Sequence, residues 1–139
     1  MNGPWNSRLG RVLVYGLGLS GRAAARLLLA HGATVLAVDD KAVDAGDLAG
    51  KIEVVLALPP DVDLVVVSPG VPLDKPLLKE ARAKGVPVIA EVELAYRFLD
   101  GPVVAITGSN GKSTTTAMAG AMARAAGLPV EICGNIGEP

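Results

Sequence analysis

At 139 residues the chain is long enough for one ordinary domain with a real core, since a domain near that size buries roughly 68–70% of its unfolded surface. Thirteen basic against fourteen acidic side chains leave a formal charge of −1 and aromatics make up 3%, a balance that excludes the broad positive field and the stacking platforms that gather nucleic acid. A single cysteine, Cys133, excludes an internal disulfide, no apolar run approaches the ~20 residues of a membrane span, and the N-terminal residues lack the basic and apolar regions of a signal peptide, so a cytoplasmic location is expected.

Residues 11–15 form a short apolar run ending at Gly16, and residues 20–30 read as a helix with Ser20 at its start and Gly32 just past its end. Between them Gly16-Leu17-Gly18-Leu19-Ser20-Gly21 matches G-x-G-x-x-G in the strand-to-helix context that gives the pattern meaning. The first glycine permits the tight turn, the second lets the backbone approach a diphosphate, and the third allows close helix packing. Free N–H groups and the helix dipole attract the anion. A glycine turn serving packing alone is the plain alternative.

Residues 34–38 give a second strand closing on Asp39-Asp40, and residues 51–58 and 62–67 read as two more, separated by Pro59-Pro60. Ser68-Pro69-Gly70-Val71-Pro72 is a turn, 75–84 a helix closed by Gly85, 87–90 a brief strand and 91–99 another helix. The predicted fold is α/β: a Rossmann-like, doubly wound, mostly parallel sheet with helices on both faces. Asp100-Gly101-Pro102 then breaks the chain, which divides it into a first domain over 1–100 and a second unit over 101–139.

After the break the opening pattern recurs, with an apolar run at 103–106, a glycine-containing loop and a helix from Lys112 to Ala126. Gly108, Ser109, Asn110, Gly111, Lys112, Ser113 and Thr114 resemble a P-loop, in which backbone N–H groups cradle phosphates, Lys112 reaches the β/γ oxygens and the Ser113 hydroxyl holds Mg²⁺. The spacing departs from G-x-x-x-x-G-K-[ST], because Ile106 occupies the first glycine position and Gly108 comes two residues later. A chance G-K-S in a surface turn is the alternative. The unit is too short for an independent domain and is expected to be the truncated start of a P-loop ATPase domain, with its apolar faces disordered, rearranged or self-associating.

The remaining chemistry-bearing residues invite plainer readings. His31 sits at a helix end and is expected to be structural, Cys133 to be a small buried side chain, and Glu91 a helix-start residue. Glu80 and Lys84 have the i,i+4 spacing of a surface pair.

The segments 16–21, Ser68-Pro69-Gly70-Val71, Glu91-Val92-Glu93-Leu94, 104–114 and Gly134-Asn135-Ile136-Gly137, in this order, closely resemble the Mur ligase family over almost the entire chain. The first two point to its branch that joins D-glutamate to UDP-N-acetylmuramoyl-L-alanine in peptidoglycan synthesis. The resemblance implies that Leu17, Gly18, Leu19 and Ser20 hold the diphosphate of the UDP group. It further implies that Asp39 and Lys41 contact the uridine end, that Gly70 belongs to the pocket wall and that Asn135 reaches over from the second domain. Gly108 to Thr114 would bind ATP, with Lys112 catalytic and Ser113 on Mg²⁺. In that family ATP phosphorylates the substrate carboxylate, and the acyl phosphate is attacked by the amine of D-glutamate. The later magnesium ligands and the D-glutamate-binding domain have no counterpart in this sequence, so a 139-residue chain that does not catalyse is expected, and the full-length enzyme is expected to be a monomer. The competing expectations are an NAD(P)-binding domain of an oxidoreductase, supported by the first glycine motif and Asp39, and a non-enzymatic nucleotide-binding module.

Overall fold

The computed structural model describes residues 9–41 and 45–134. The chain divides into two compact units, Met1–Leu99 and Asp100–Pro139.

The first unit is built on five parallel strands. Strand β1 (Arg11–Tyr15) leads into helix α1 (Leu19–Ala30) and β2 (Thr34–Val38); a 3-10 turn at Gly46–Leu48 precedes the two-residue β3 (Glu53–Val54). Then follow β4 (Leu64–Val67), α2 (Pro76–Ala83), β5 (Val88–Ala90) and α3 (Glu91–Phe98). The strand order is β3-β2-β1-β4-β5, so the chain winds outward from β1 in one direction and from β4 in the other.

Because successive side chains of a strand point to opposite faces, an uninterrupted apolar strand must be covered on both. One face carries Val12, Val14, Val35, Ala37, Leu64 and Val66, packed against Ala24, Ala25 and Leu28 of α1 and Leu94 of α3. The other carries Leu13, Tyr15, Leu36, Val38, Val65 and Val67, packed against Leu78 and Ala81 of α2. Leu28, Leu36 and Leu78 are fully buried, and truncating any of them to alanine costs about 2–5 kcal/mol. This is the doubly wound α/β fold expected.

At the edge where the strands begin, Arg11 is clasped by acids. Its backbone N–H donates to Asp63 Oδ2 at 2.8 Å, and its guanidinium meets Asp61 at 3.1 Å and Glu53 at 3.5 Å. The opposite edge, where the strands end, carries the loops described below.

Two strand expectations need correction. Of residues 51–58, only Glu53 and Val54 pair, with Leu36 and Ala37, because β3 lies at the rim of the sheet and the chain turns away before Pro59-Pro60. Residues 103–106 form no strand: a parallel strand exists only through a neighbour's hydrogen bonds, and among the described residues of the second unit none pairs with them.

The second unit is organised by α4 (Lys112–Ala125). Gly120 is its buried position, and a Cβ there would overlap the Ile132 side chain. Arg124 donates to the Val130 carbonyl at 3.3 Å.

Candidate functional site

In an open parallel sheet the crevice forms outside the carboxyl ends of the strands, where neighbouring connections run to opposite sides. Here that point lies between β1 and β4, and the loops leaving β1, β2 and β4 meet there.

The loop after β1 is held from every side. Gly16 has φ +90, its N–H donates to the Val38 carbonyl at 2.8 Å, and its carbonyl accepts the buried Ser68 hydroxyl at 2.7 Å. Gly21 packs so closely on this turn that a Cβ would overlap the Gly16 carbonyl oxygen. Gly18 is the opposite case: it is exposed, and a Cβ built on it meets nothing within 4 Å. The three glycines therefore divide as the motif's physics requires: a left-handed turn, an open approach and a packing contact.

Gly18 is the N-cap of α1, so the helix begins at Leu19, one residue before the expected start at Ser20, and no side chain caps it. The N–H groups of Gly18, Leu19 and Ser20 carry no hydrogen bond among the described residues. Three unpaired donors at the positive end of a twelve-residue helix are the arrangement that favours an anion. Leu17 differs from its neighbours, because its N–H is committed to Asp39 Oδ2 at 2.8 Å and its carbonyl accepts Arg22 Nε at 3.1 Å. Its side chain is buried, so it supports the loop from below.

Asp39 accepts two backbone N–H groups, from Leu17 on one oxygen and from Lys41 at 3.0 Å on the other. Each carboxylate oxygen can accept a second hydrogen bond. Its neighbour Asp40 points to a different pair: Tyr15 Oη donates to Oδ1 at 2.8 Å, and Lys75 Nζ meets Oδ2 at 2.5 Å. The Lys75 ammonium, and after it the Tyr15 hydroxyl, hold the Asp40 carboxyl below the usual carboxylate range. Burial, followed by the hydrogen bond to Asp40, pushes the Tyr15 phenol up to about 12. Lys41 and Gly70 are exposed on the loops after β2 and β4. Leu17, Gly18, Asp39, Lys41 and Gly70 on the loops, and Leu19 and Ser20 in the first turn of α1, therefore lie at the same edge of one sheet.

In the second unit, Gly108 has φ +154 and Gly111 φ +76, with Gly111 as the N-cap of α4 and no side-chain cap. Lys112 curls back so that its ammonium donates to the carbonyls of Gly108 and Ser109. Ser113 and Thr114 are exposed in the first turn, and Thr116 Oγ1 donates to the Lys112 carbonyl at 2.8 Å. Asn135 lies outside the described residues.

Residues 10–90, more than half of the chain, match the family described as Mur ligase MurD-like, N-terminal domain. The chain belongs to the Mur ligase family. It is 44% identical over 144 residues to the UDP-N-acetylmuramoylalanine--D-glutamate ligase of Koribacter versatilis and 49% identical over 134 residues to that of Solibacter usitatus, with 93% of this chain covered in each. It spans only 31% and 30% of those relatives. Among solved structures it is similar to the UDP-N-acetylmuramate-alanine ligase MurC of Thermotoga maritima, at 25% identity and a TM-score of 0.56, covering 82% of this chain and 29% of that one. These matches give no support to an NAD(P)-dependent oxidoreductase.

Within this Mur ligase chain, the glycines and Asp39 are legible from spacing, whereas Ser68, Tyr15, Asp40 and Lys75 are not. Ser68 opens a turn motif that marks its place without revealing that its hydroxyl reaches Gly16. Tyr15 offered one signal, a phenol at the polar end of an apolar strand, which when buried requires a partner. Cys133 is exposed, against the expectation of burial, because residues 128–134 form no strand that would cover it. His31 is the C-cap of α1, with Nδ1 at 2.9 Å from the Leu27 carbonyl and its ring 4.3 Å from that of Phe98, a structural place. Glu91 opens α3, and Glu80 pairs with Lys84 at 2.6 Å.

Proposed function

We propose that the first unit binds the UDP group of a UDP-N-acetylmuramoyl substrate. The full-length protein then acts as an ATP-dependent ligase that joins D-glutamate to UDP-N-acetylmuramoyl-L-alanine in the cytoplasm. The observation that carries this reading is the uncapped N-terminus of α1 at the crevice between β1 and β4, with open space in front of Gly18. The unpaired N–H groups of Gly18, Leu19 and Ser20 receive the diphosphate, and Leu17 fixes the loop. Asp39 offers its remaining acceptor positions to the nucleoside end, while Lys41 and Gly70 line the approach. No helix among the described residues is long and apolar enough to cross a membrane.

The second unit's residues fit the phosphates of ATP. Two left-handed glycines shape the loop, the α4 N-terminus is free of side-chain caps, and Lys112 is the cation beside it. Gly108, Ser109, Asn110, Gly111 and Thr114 frame the phosphates, Lys112 neutralises transferring charge, and Ser113 offers a hydroxyl to Mg²⁺. Among the described residues no group of three or more acidic, histidine or cysteine side chains could hold a metal by itself. A magnesium ion at Ser113 would draw its other ligands from phosphate oxygens and water.

Calorimetric titration with UDP-N-acetylmuramoyl-L-alanine, NAD and Mg-ATP, repeated on Gly18→Val, tests this reading. Binding of the UDP compound that the substitution abolishes supports it. Binding of NAD in its place overturns it.

A further inference from the structure

We propose that Asp40, clasped between Tyr15 and Lys75, is a positioning residue that fixes the segment carrying Asp39 and Lys41, and so sets how tightly the nucleoside end of a UDP ligand is held. The ligand half of this inference rests on the UDP-binding reading above; the clasp itself does not.

The three residues come from three elements. Tyr15 is the last residue of β1, Asp40 follows β2, and Lys75 is the N-cap of α2, just past the Ser68–Pro72 turn. Asp40 thereby ties together the ends of the same three connections that bound the crevice. The two consecutive carboxylates divide the work: Asp39 accepts the N–H of Leu17 in the glycine loop, and Asp40 accepts the phenol of β1 and the ammonium at the start of α2.

Each partner has a physical need for Asp40. The Tyr15 ring is buried, and its hydroxyl requires an acceptor. Helix α2 has no acidic residue in its first turn and places Lys75 at its positive end, an unfavourable arrangement that an anion from elsewhere offsets. Asp40 meets both needs with one carboxylate. Since residue 40 is bonded to 39 and precedes 41, fixing it limits the freedom of the two residues that face the ligand.

The test compares Asp40→Asn, Lys75→Met and Lys75→Arg in this chain by amide hydrogen exchange, followed by titration with UDP and with inorganic pyrophosphate. Asp40→Asn and Lys75→Met are expected to speed exchange at Leu17 and Lys41 roughly fivefold to tenfold, the scale of one solvent-screened hydrogen bond, while the amides of β4 stay slow. Lys75→Arg keeps the wild-type pattern. UDP affinity falls by a similar factor in the first two variants and pyrophosphate affinity does not, because pyrophosphate needs only the α1 N-terminus.

Unchanged exchange at Leu17 and Lys41 overturns the proposal. So does acceleration of the β4 amides in step with them, or an equal loss of UDP and pyrophosphate, since either marks general loosening. A clasp that behaves as expected in a wild-type chain that binds pyrophosphate but not UDP supports the positioning role and defeats the UDP reading instead.

Discussion

Gly21 sits against Gly16 so closely that a Cβ on Gly21 would overlap the Gly16 carbonyl oxygen and come within 2.7 Å of Ser68 Oγ. The obstructing atom is backbone, already held by the Ser68 hydroxyl, so it cannot turn aside as a flexible side chain would. Gly21→Ala is expected to destabilise the chain by about 1–3 kcal/mol, even though alanine is the better helix former. Urea unfolding with an unchanged slope measures it.

Gly18→Ala is expected to do the reverse. Its backbone, at φ −68 and ψ −166, suits any residue, and nothing lies within 4 Å of the added carbon. Stability should stay within about 0.5 kcal/mol of the parent. Affinity for UDP should drop by roughly tenfold or more, since the methyl occupies the space through which a diphosphate approaches the N–H groups. Parallel unfolding and calorimetric titration separate the two effects.

Ser68→Ala removes a buried hydroxyl and leaves the Gly16 carbonyl without that donor. The cost is expected to be about 1–3 kcal/mol. Ser68→Thr is no simple rescue, because Val71 and Ser68 already crowd Gly16. Thermal unfolding of the alanine variant reads the loss directly.

Tyr15 and Asp40 give the chain a defined response to pH at both extremes. The Tyr15 phenol is raised in the folded state to about 12, so its contribution to stability is complete below its unfolded value near 10 and is lost as pH rises from about 10 to 12. The Asp40 carboxyl is lowered in the folded state, so its contribution is present above its unfolded value and is lost as pH falls through the folded one. Tyr15→Phe should flatten the alkaline limb of a stability profile, and Asp40→Asn the acid limb. Phenolate absorbance in a Tyr96→Phe background follows Tyr15 alone, since the chain has two tyrosines.

The sequence displayed most of the first unit because its information there is local. Apolar runs such as Val12 to Tyr15 and Leu64 to Val67 end at glycine or at Ser68-Pro69-Gly70, and helices α1 and α2 close on Gly32 and Gly85. Periodicity and punctuation suffice for such elements. What stayed hidden depends on neighbours: how much of 51–58 pairs is decided by the reach of β2, and whether 103–106 forms a strand is decided by a partner that must exist in space. The same holds for the site. The glycine motif and Asp39 have fixed spacing, whereas Tyr15, Asp40 and Lys75 are separated by 25 residues or more in the chain and converge only after folding.

The acid clasp around Arg11 lies at the edge of the sheet opposite the ligand loops. Strands β1, β2 and β4 run from that edge to the one that carries the glycine loop, Asp39 and Gly70, and the fully buried residues between are apolar. Charge changes at Arg11, Glu53, Asp61 or Asp63 are therefore expected to alter solubility and stability without reaching the loops around Gly18 and Asp39. That edge is the natural place to anchor the chain to a sensor surface, leaving the crevice open to solution.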